Sequence, residues 1–337
     1  MITLNDLWKK GKDFLKVETP IMCGAMTWIS ESHLVATISN AGAFGCLAGG
    51  NMEPDLLDQE IDKTRQMTDK PFAVNLITIA PNYKRQLNLV VDKQVPYIVF
   101  AGGIPKAPEI QLVKETGAKV LCFASTESIA KRMIDRGADG LMLEGSEAGG
   151  HIGHVSLIIL LQQILFEFQD IPVFVAGGIG TGRIIPHLLL MGAIGVQLGT
   201  HFVLTEECSV HPKFKEAFIR ARARDAIATP QIGSELHVVA VRALRNKGMD
   251  QFSNLQMRLI QSRKHGEISQ EEAQFEVERY WVGALRRAAV EGDIDKGSLM
   301  AGQSVGLAKE IKPIRKMLSD LTLEAEAELK RIHDRIQ

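Results

Sequence analysis

The chain has 337 residues, 45% hydrophobic and 23% charged, the mixture of an ordinary globular protein rather than of a disordered, fibrous or membrane-spanning one. Lys and Arg (39) nearly balance Asp and Glu (40), so the bulk charge points neither to nucleic acid nor to an anionic membrane surface. The length suits one large domain with an appendage and allows a sizeable core.

Residues 1–16 mix charge with isolated apolar positions, lack the unbroken apolar stretch of a secretory signal, and read as a short first helix. The best candidate for a membrane span, 155–168, is broken by Ser156, Gln162, Gln163 and Glu167, and falls short of the roughly 18 apolar residues required. A cytoplasmic location is therefore the expectation. The cysteines Cys23, Cys46, Cys122 and Cys208 lie far apart without a C-x-x-C pair, so spacing points to no metal site and buried, reduced thiols are expected.

Short apolar runs recur at 20–22, 44–47, 72–76, 97–100, 120–123, 140–143, 173–176 and 195–198. Between them lie segments of helical periodicity at 32–40, 54–67, 84–93, 107–116, 125–136, 157–168 and 183–191. Continuous apolar strands alternating with amphipathic helices are the pattern of a parallel sheet covered by helices, and eight such units predict a closed (β/α)8 barrel, with a doubly wound open sheet as the rival. Gly42, Gly117, Gly137 and Gly192 each follow a helical run and precede a strand, where a left-handed residue commonly ends a helix. From about Ala226 the texture changes. Residues 231–287 are charged, long in side chain and poor in β-branched runs, which predicts a helical appendage with a break near Lys264, His265 and Gly266 and a capping box at Ser269 and Glu272. Small residues return at 297–306, and a charged-faced helix over 314–332 closes the chain, its apolar positions suited either to core packing or to a homodimer.

Residues 143–154 concentrate polar chemistry after the sixth strand: paired glycines, Glu144, Glu147, His151 and His154. Glycine permits close backbone approach to a ligand and histidine holds or moves a proton near neutral pH, although a Gly-rich turn with solvated histidines has the same composition. In a (β/α) barrel the site lies at the carboxyl ends of the strands, and loops after the last two strands often grip phosphate. Here those loops contain Gly177 and Gly178, then Gln197, Gly199 and Thr200, whose backbone N–H groups and hydroxyl can surround a phosphate. The first strand ends in Gly24, Ala25 and Met26, where a flat ring could lie against backbone, and the third carries Asn75, an amide suited to a heterocycle edge. Packing explains these last residues as well.

Together, 20–26, 72–75, 147–153, 176–179, 197–200 and 300–304 resemble the FMN-dependent nitronate monooxygenase superfamily, and within it most closely the flavin-dependent enoyl-[acyl-carrier-protein] reductases. The resemblance implies a TIM (β/α)8 barrel over 1–225, an additional α-helical substrate-cleft domain over 226–296, and an active-site segment with closing helix over 297–337. It implies non-covalent FMN, touched by Gly24, Ala25, Met26, Asn75, Glu144, Gly150 and Gln197, with its phosphate on Gly177, Gly178, Gly199 and Thr200. Met300, Gly302 and Gln303 would close the ring side, and His151 would be the catalytic histidine.

The implied reaction is NADH- or NADPH-dependent reduction of an enoyl thioester on a small-molecule or acyl-carrier-protein-linked substrate. The alternatives on the same scaffold are a nitronate monooxygenase and an NAD(P)H:quinone reductase. A barrel like inosine-monophosphate dehydrogenase needs a cysteine in the sixth loop, where this chain has none. Relatives commonly have Gln-Gly-Gly-Met where this chain has Cys23-Gly24-Ala25-Met26, and Lys or Glu where it has His154.

Overall fold

The computed structural model describes residues 2–232, 236 and 239–336. Helix α1 (Leu4–Leu15) starts at a capping box in which Thr3 and Asp6 satisfy each other's backbone N–H groups, and it ends on Lys16 in the left-handed region, φ 58°. Strands β1 (Ile21–Cys23), β2 (Gly45–Leu47), β3 (Phe72–Ile77), β4 (Tyr97–Ala101), β5 (Lys119–Ala124) and β6 (Gly140–Glu144) alternate with α2 (Ser32–Asn40), α3 (Pro54–Met67), α4 (Tyr83–Asp92), α5 (Ala107–Lys114) and α6 (Glu127–Asp135). A short strand β7 (Gly150–His151) precedes α7 (Leu157–Ile164), and β8 (Val173–Ala176), α8 (Ile184–Leu190) and β9 (Gly195–Leu198) complete the repeat.

Eight of these strands form one parallel sheet in the order β1-β9-β8-β6-β5-β4-β3-β2. The ends meet through a parallel bridge, Met22 to Phe44, with Cys23 N–H donating to Phe44 O (2.8 Å) and Phe44 N–H to Ile21 O (3.0 Å). The sheet is thus a closed TIM-type (β/α)8 barrel, and the open-sheet alternative is excluded. Gly42, Gly117, Gly137 and Gly192 have φ between 84° and 115°, so the recurrent helix-to-strand turn is a left-handed cap that a side chain would strain.

Inward-facing Met22, Phe44, Ala73, Tyr97, Val99, Leu121, Met142 and Phe174 fill the barrel, and Leu15 of α1 joins them to plug its amino-terminal end. The other strand face packs against the helices in a single larger core. With one end plugged, the open carboxyl end is the place left for a ligand.

Beyond the barrel come α9 (Thr200–Val203), α10 (Pro212–Arg220), β10 (Ala226–Ala228), β11 (Val241–Leu244), α11 (Lys247–Lys264), α12 (Gln270–Ala289) and α13 (Ile314–Ile336). The helical reading of 231–287 holds for α11, α12, their break after Lys264 and the Ser269–Glu272 capping box, but not for its beginning. There β11 is the middle strand of a small antiparallel sheet, pairing with β10 on one side and with β7 on the other. Residues 233–235, 237 and 238 of that segment lie outside the described residues. Helices α11 and α12 share their own core, in which the rings of Phe252 and Trp281 lie 4.3 Å apart beside Leu259, Ala273 and Val277. The apolar positions of α13, Ile314, Met317, Leu318, Leu321 and Ala325, are buried in the chain's own main core. Among the described residues no helix is long and apolar enough to cross a membrane.

Candidate active site

A cavity of about 500 Å³ opens at the carboxyl ends of the strands. It is lined by Gly24, Ala25, Met26, Asn75, Glu144, Gly150, His151, Gly177, Gly178, Gln197, Gly199, Thr200, Met300 and Gly302, that is, by every residue the resemblance assigned to cofactor or catalysis except Gln303, whereas Glu147 and His154 of the same loop stay outside it. Gln303 sits in a 3-10 turn behind the wall, where its backbone N–H donates to Glu147 O at 2.9 Å.

Glycine forms much of the floor, and the reason differs between positions. A β-carbon on Gly24, Gly150 or Gly199 would meet no protein atom closer than 3.6 Å, so packing does not demand glycine there, although Gly150, at φ 79°, needs it for its left-handed backbone. All three line the cavity, and a side chain would take space from a ligand. Gly177 and Gly178, at φ 86° and 72°, turn the chain sharply after β8. By contrast Gly180 and Gly182 of the same loop serve packing. Their β-carbons would collide with Leu307 (2.5 Å) and with Leu321 O (2.0 Å), and Gly182 N–H donates to the Glu324 carboxylate of α13 at 2.7 Å.

The polar groups of the floor are held with some valences open. Ser30 Oγ donates to Gly24 O (2.8 Å) and accepts Met26 N–H (3.1 Å), shaping the turn after β1. Asn75 Nδ2 donates to Val99 O (3.0 Å), while its carbonyl oxygen accepts from no described group. The Gln197 side chain, 9% exposed, likewise has no bond to a described residue. Thr200 Oγ1 accepts from Ser304 Oγ at 3.4 Å. Cys23 is fully buried; its S–H donates to Gly24 O (3.3 Å), and it does not line the cavity.

His151 is placed by backbone. It pairs with Val241 across the β7–β11 ladder, and Ile152 N–H donates to Ala240 O at 2.9 Å. Arg242 ties the loop further, donating to Ser146 O (3.0 Å) and Ala226 O (2.7 Å). Gly149 abuts Ala301 and Gly302, where a β-carbon would come within 2.5 Å of Gly302 N. The Glu147 carboxylate accepts Leu157 N–H at 2.9 Å and so caps α7, a structural task, while His154 is exposed.

Two carboxyls flank the imidazole. His151 Nε2 lies 3.1 Å from Glu278 Oε1, a residue of α12 that sequence reasoning missed. Glu144, at the end of β6, makes no hydrogen bond to a described residue, and burial pushes it up to about 8, only partly offset by His151. Burial pulls His151 down, but the Glu278 hydrogen bond and the two carboxyls outweigh it and raise the imidazole above its ordinary value. Burial lowers His201, which keeps a contact with Gly180 O at 3.1 Å.

Helix α12 forms the facing wall through Glu278, Trp281, Val282 and Leu285. It is held to the barrel by Trp28, whose indole N–H donates to Val282 O at 2.9 Å and whose ring lies 5.8 Å below the Arg286 guanidinium. Such wall residues sit in a charged amphipathic helix more than a hundred positions downstream of the loop they face, and no local pattern marks them.

A single arrangement therefore brings together a glycine-rich floor, amides with valences left open among the described residues, and a histidine between two carboxyls. The nitronate monooxygenase family model matches residues 9–82 and 76–324. Over 335 residues the chain is 29% identical to (3aS,4S,5R,7aS)-5-hydroxy-7a-methyl-1-oxo-octahydro-1H-indene-4-carboxyl-CoA dehydrogenase of Rhodococcus jostii, covering 93% of this chain and 94% of that one. It is 27% identical over 350 residues to a probable nitronate monooxygenase of Staphylococcus aureus, covering 90% and 94%. Its structure is similar to that of FabK from Thermotoga maritima, with a TM-score of 0.86 and 35% identity over 99% of both chains. The chain belongs to the nitronate monooxygenase family and is an oxidoreductase.

Proposed function

We propose that the chain is an FMN-dependent reductase that uses NADH or NADPH to reduce the double bond of an α,β-unsaturated thioester. The observation that supports this best is the cavity itself: a floor rich in glycine, on which a flat ring can lie against backbone, beneath a wall that presents His151. Gly177, Gly178, Gly199 and Thr200 would hold the phosphate through backbone N–H groups and a hydroxyl at the start of α9. Gly24, Ala25, Met26, Asn75 and Gln197 would touch the ring, where the Asn75 side-chain oxygen and the Gln197 amide would find partners. Glu144, Gly150, Met300 and Gly302 would close the ring side, with Gln303 bracing the wall from behind. Bound there, FMN supplies the two-electron chemistry that links a nicotinamide to the enoyl substrate.

The protein's part is placement and proton delivery. Reduction of the double bond adds a hydride at the β-carbon and a proton at the α-carbon, with negative charge developing on the thioester oxygen between the two events. A protonated His151 donates a hydrogen bond to that oxygen and supplies the proton. The α11–α12 pair would form the substrate cleft, and the apolar lining from Trp281, Val282 and Leu285 excludes water from the site. That the Rhodococcus relative acts on a CoA ester supports a thioester substrate.

A second reading, nitronate oxidation without a pyridine nucleotide, is favoured by the Staphylococcus relatives. One experiment distinguishes them. Purified protein is checked for released FMN and mixed anaerobically with NADH or NADPH, then with crotonyl thioester. Bleaching by the dinucleotide and reoxidation by the thioester support the reductase. Bleaching only by a nitronate points to the monooxygenase, and reoxidation only by a quinone to a quinone reductase. Failure to bind FMN sinks all three. His151→Ala retains flavin while thioester turnover falls by roughly 10²- to 10⁴-fold; unchanged turnover refutes the role given to His151.

A further inference from the structure

We propose that Glu278 is the positioning residue for His151: its carboxylate, delivered by α12, orients the imidazole and supplies its counter-charge. The inference rests on the proton-donor role given to His151 above.

Both partners are mounted on fixed backbone. His151 is in the β7–β11 ladder, and α12 is secured by its capping box at Ser269, by the packing of Trp281 on Phe252, and by the Trp28 indole bond to Val282 O, one turn beyond Glu278. The contact between them, 3.1 Å from Nε2 to Oε1, is therefore set by how the cleft helices dock on the barrel. The Glu278 side chain is 18% exposed and that of His151 36%, the latter opening onto the cavity it lines rather than onto bulk water. With Nε2 engaged by the carboxylate, Nδ1 has no partner among the described residues and is the nitrogen left to act on substrate.

The charged groups around the imidazole leave Glu278 as its counter-ion. From β6 comes Glu144, which burial keeps largely protonated below about pH 8, so that it raises the imidazole less than Glu278 does. Across the ladder, Arg242 is committed to the carbonyls of Ser146 and Ala226. On α12 itself, Glu276 and Arg279 pair with each other at 2.6 Å on the exposed face. A charge-assisted bond from Glu278 favours the imidazolium over the neutral ring.

The test is E278Q, which keeps the shape and an acceptor oxygen but removes the charge. The alkaline limb of the kcat profile moves to lower pH, and the His151 imidazole titration, followed by NMR on the flavin-loaded protein, moves with it. Above neutral pH kcat falls roughly tenfold, while flavin content and KM hold. An unchanged titration and an unchanged limb, with H151A inactive, reduce Glu278 to a structural contact and overturn the proposal. E278D and E278N form a second charged and neutral pair of equal length, which keeps the comparison available if E278Q does not fold. The E278N titration must then lie below that of E278D, and coincidence refutes the inference. Full activity in H151A would instead refute the earlier reading of His151, and the NMR titration still reports on Glu278 because it needs no turnover.

Discussion

Replacing Gly199 by alanine separates ligand space from folding at one position. Gly199 sits at φ −113° and ψ −63°, on the negative-φ side open to alanine, and its added β-carbon meets nothing nearer than Met26 Sδ at 3.6 Å. The folded apoprotein therefore meets no clash from the change, and its stability stays within about 1 kcal/mol of the parent's. The methyl does, however, project into the cavity beside Thr200, where the phosphate is expected. Forcing one methyl into a filled site costs about 1–3 kcal/mol, which weakens flavin binding by roughly 5- to 150-fold. Thermal unfolding of the apoprotein and fluorescence titration with FMN measure the two effects independently. Native FMN affinity in a fully folded G199A protein would refute the placement of the phosphate between the last two barrel strands.

Two other substitutions test the remaining assignments. Gly182→Ala drives a methyl into Leu321 O and disturbs the bond to Glu324, so α13 is pushed off α8; the protein loses about 2 kcal/mol in a denaturant titration while the folded fraction keeps its flavin affinity. Glu144 binds its proton more tightly folded than unfolded, so it withdraws stability as pH rises from its ordinary value of 4.5 to about 8. Glu144→Gln removes that penalty, and on the order of 4 kcal/mol separates the variant from the parent near the upper end of the window, with no difference at low pH. Parallel stability curves across that range would show that the carboxyl is not held neutral.

The eight strands, the helices between them and the left-handed glycines were legible because each βα unit is local. Apolar runs, amphipathic periods and cap residues act over about ten to fifteen positions, and the barrel then repeats them. The same locality made the candidate site legible. Closing the sheet sends every strand end to one rim, so Gly24, Asn75, Glu144, Gly177 and Gln197 converge once their strands are assigned.

What required the tertiary structure was everything set by packing between distant segments. The short strand β11 is held between β10 and the Gly150–His151 edge, and its own mostly apolar run, 239–244, is a brief signal inside a long charged segment whose overall composition reads as helix. Within one glycine-rich loop only the neighbouring atoms distinguish Gly177 and Gly178, which face the cavity, from Gly180 and Gly182, which make room for Leu307 and α13. Cys23 turns into the core and leaves the floor to Gly24. Above all, the sequence by itself determined that a histidine would stand at the rim of a barrel. That the histidine stands against Glu278 was decided by the angle at which α12 crosses the cavity, because the facing side of a helix is chosen by its packing and not by its composition.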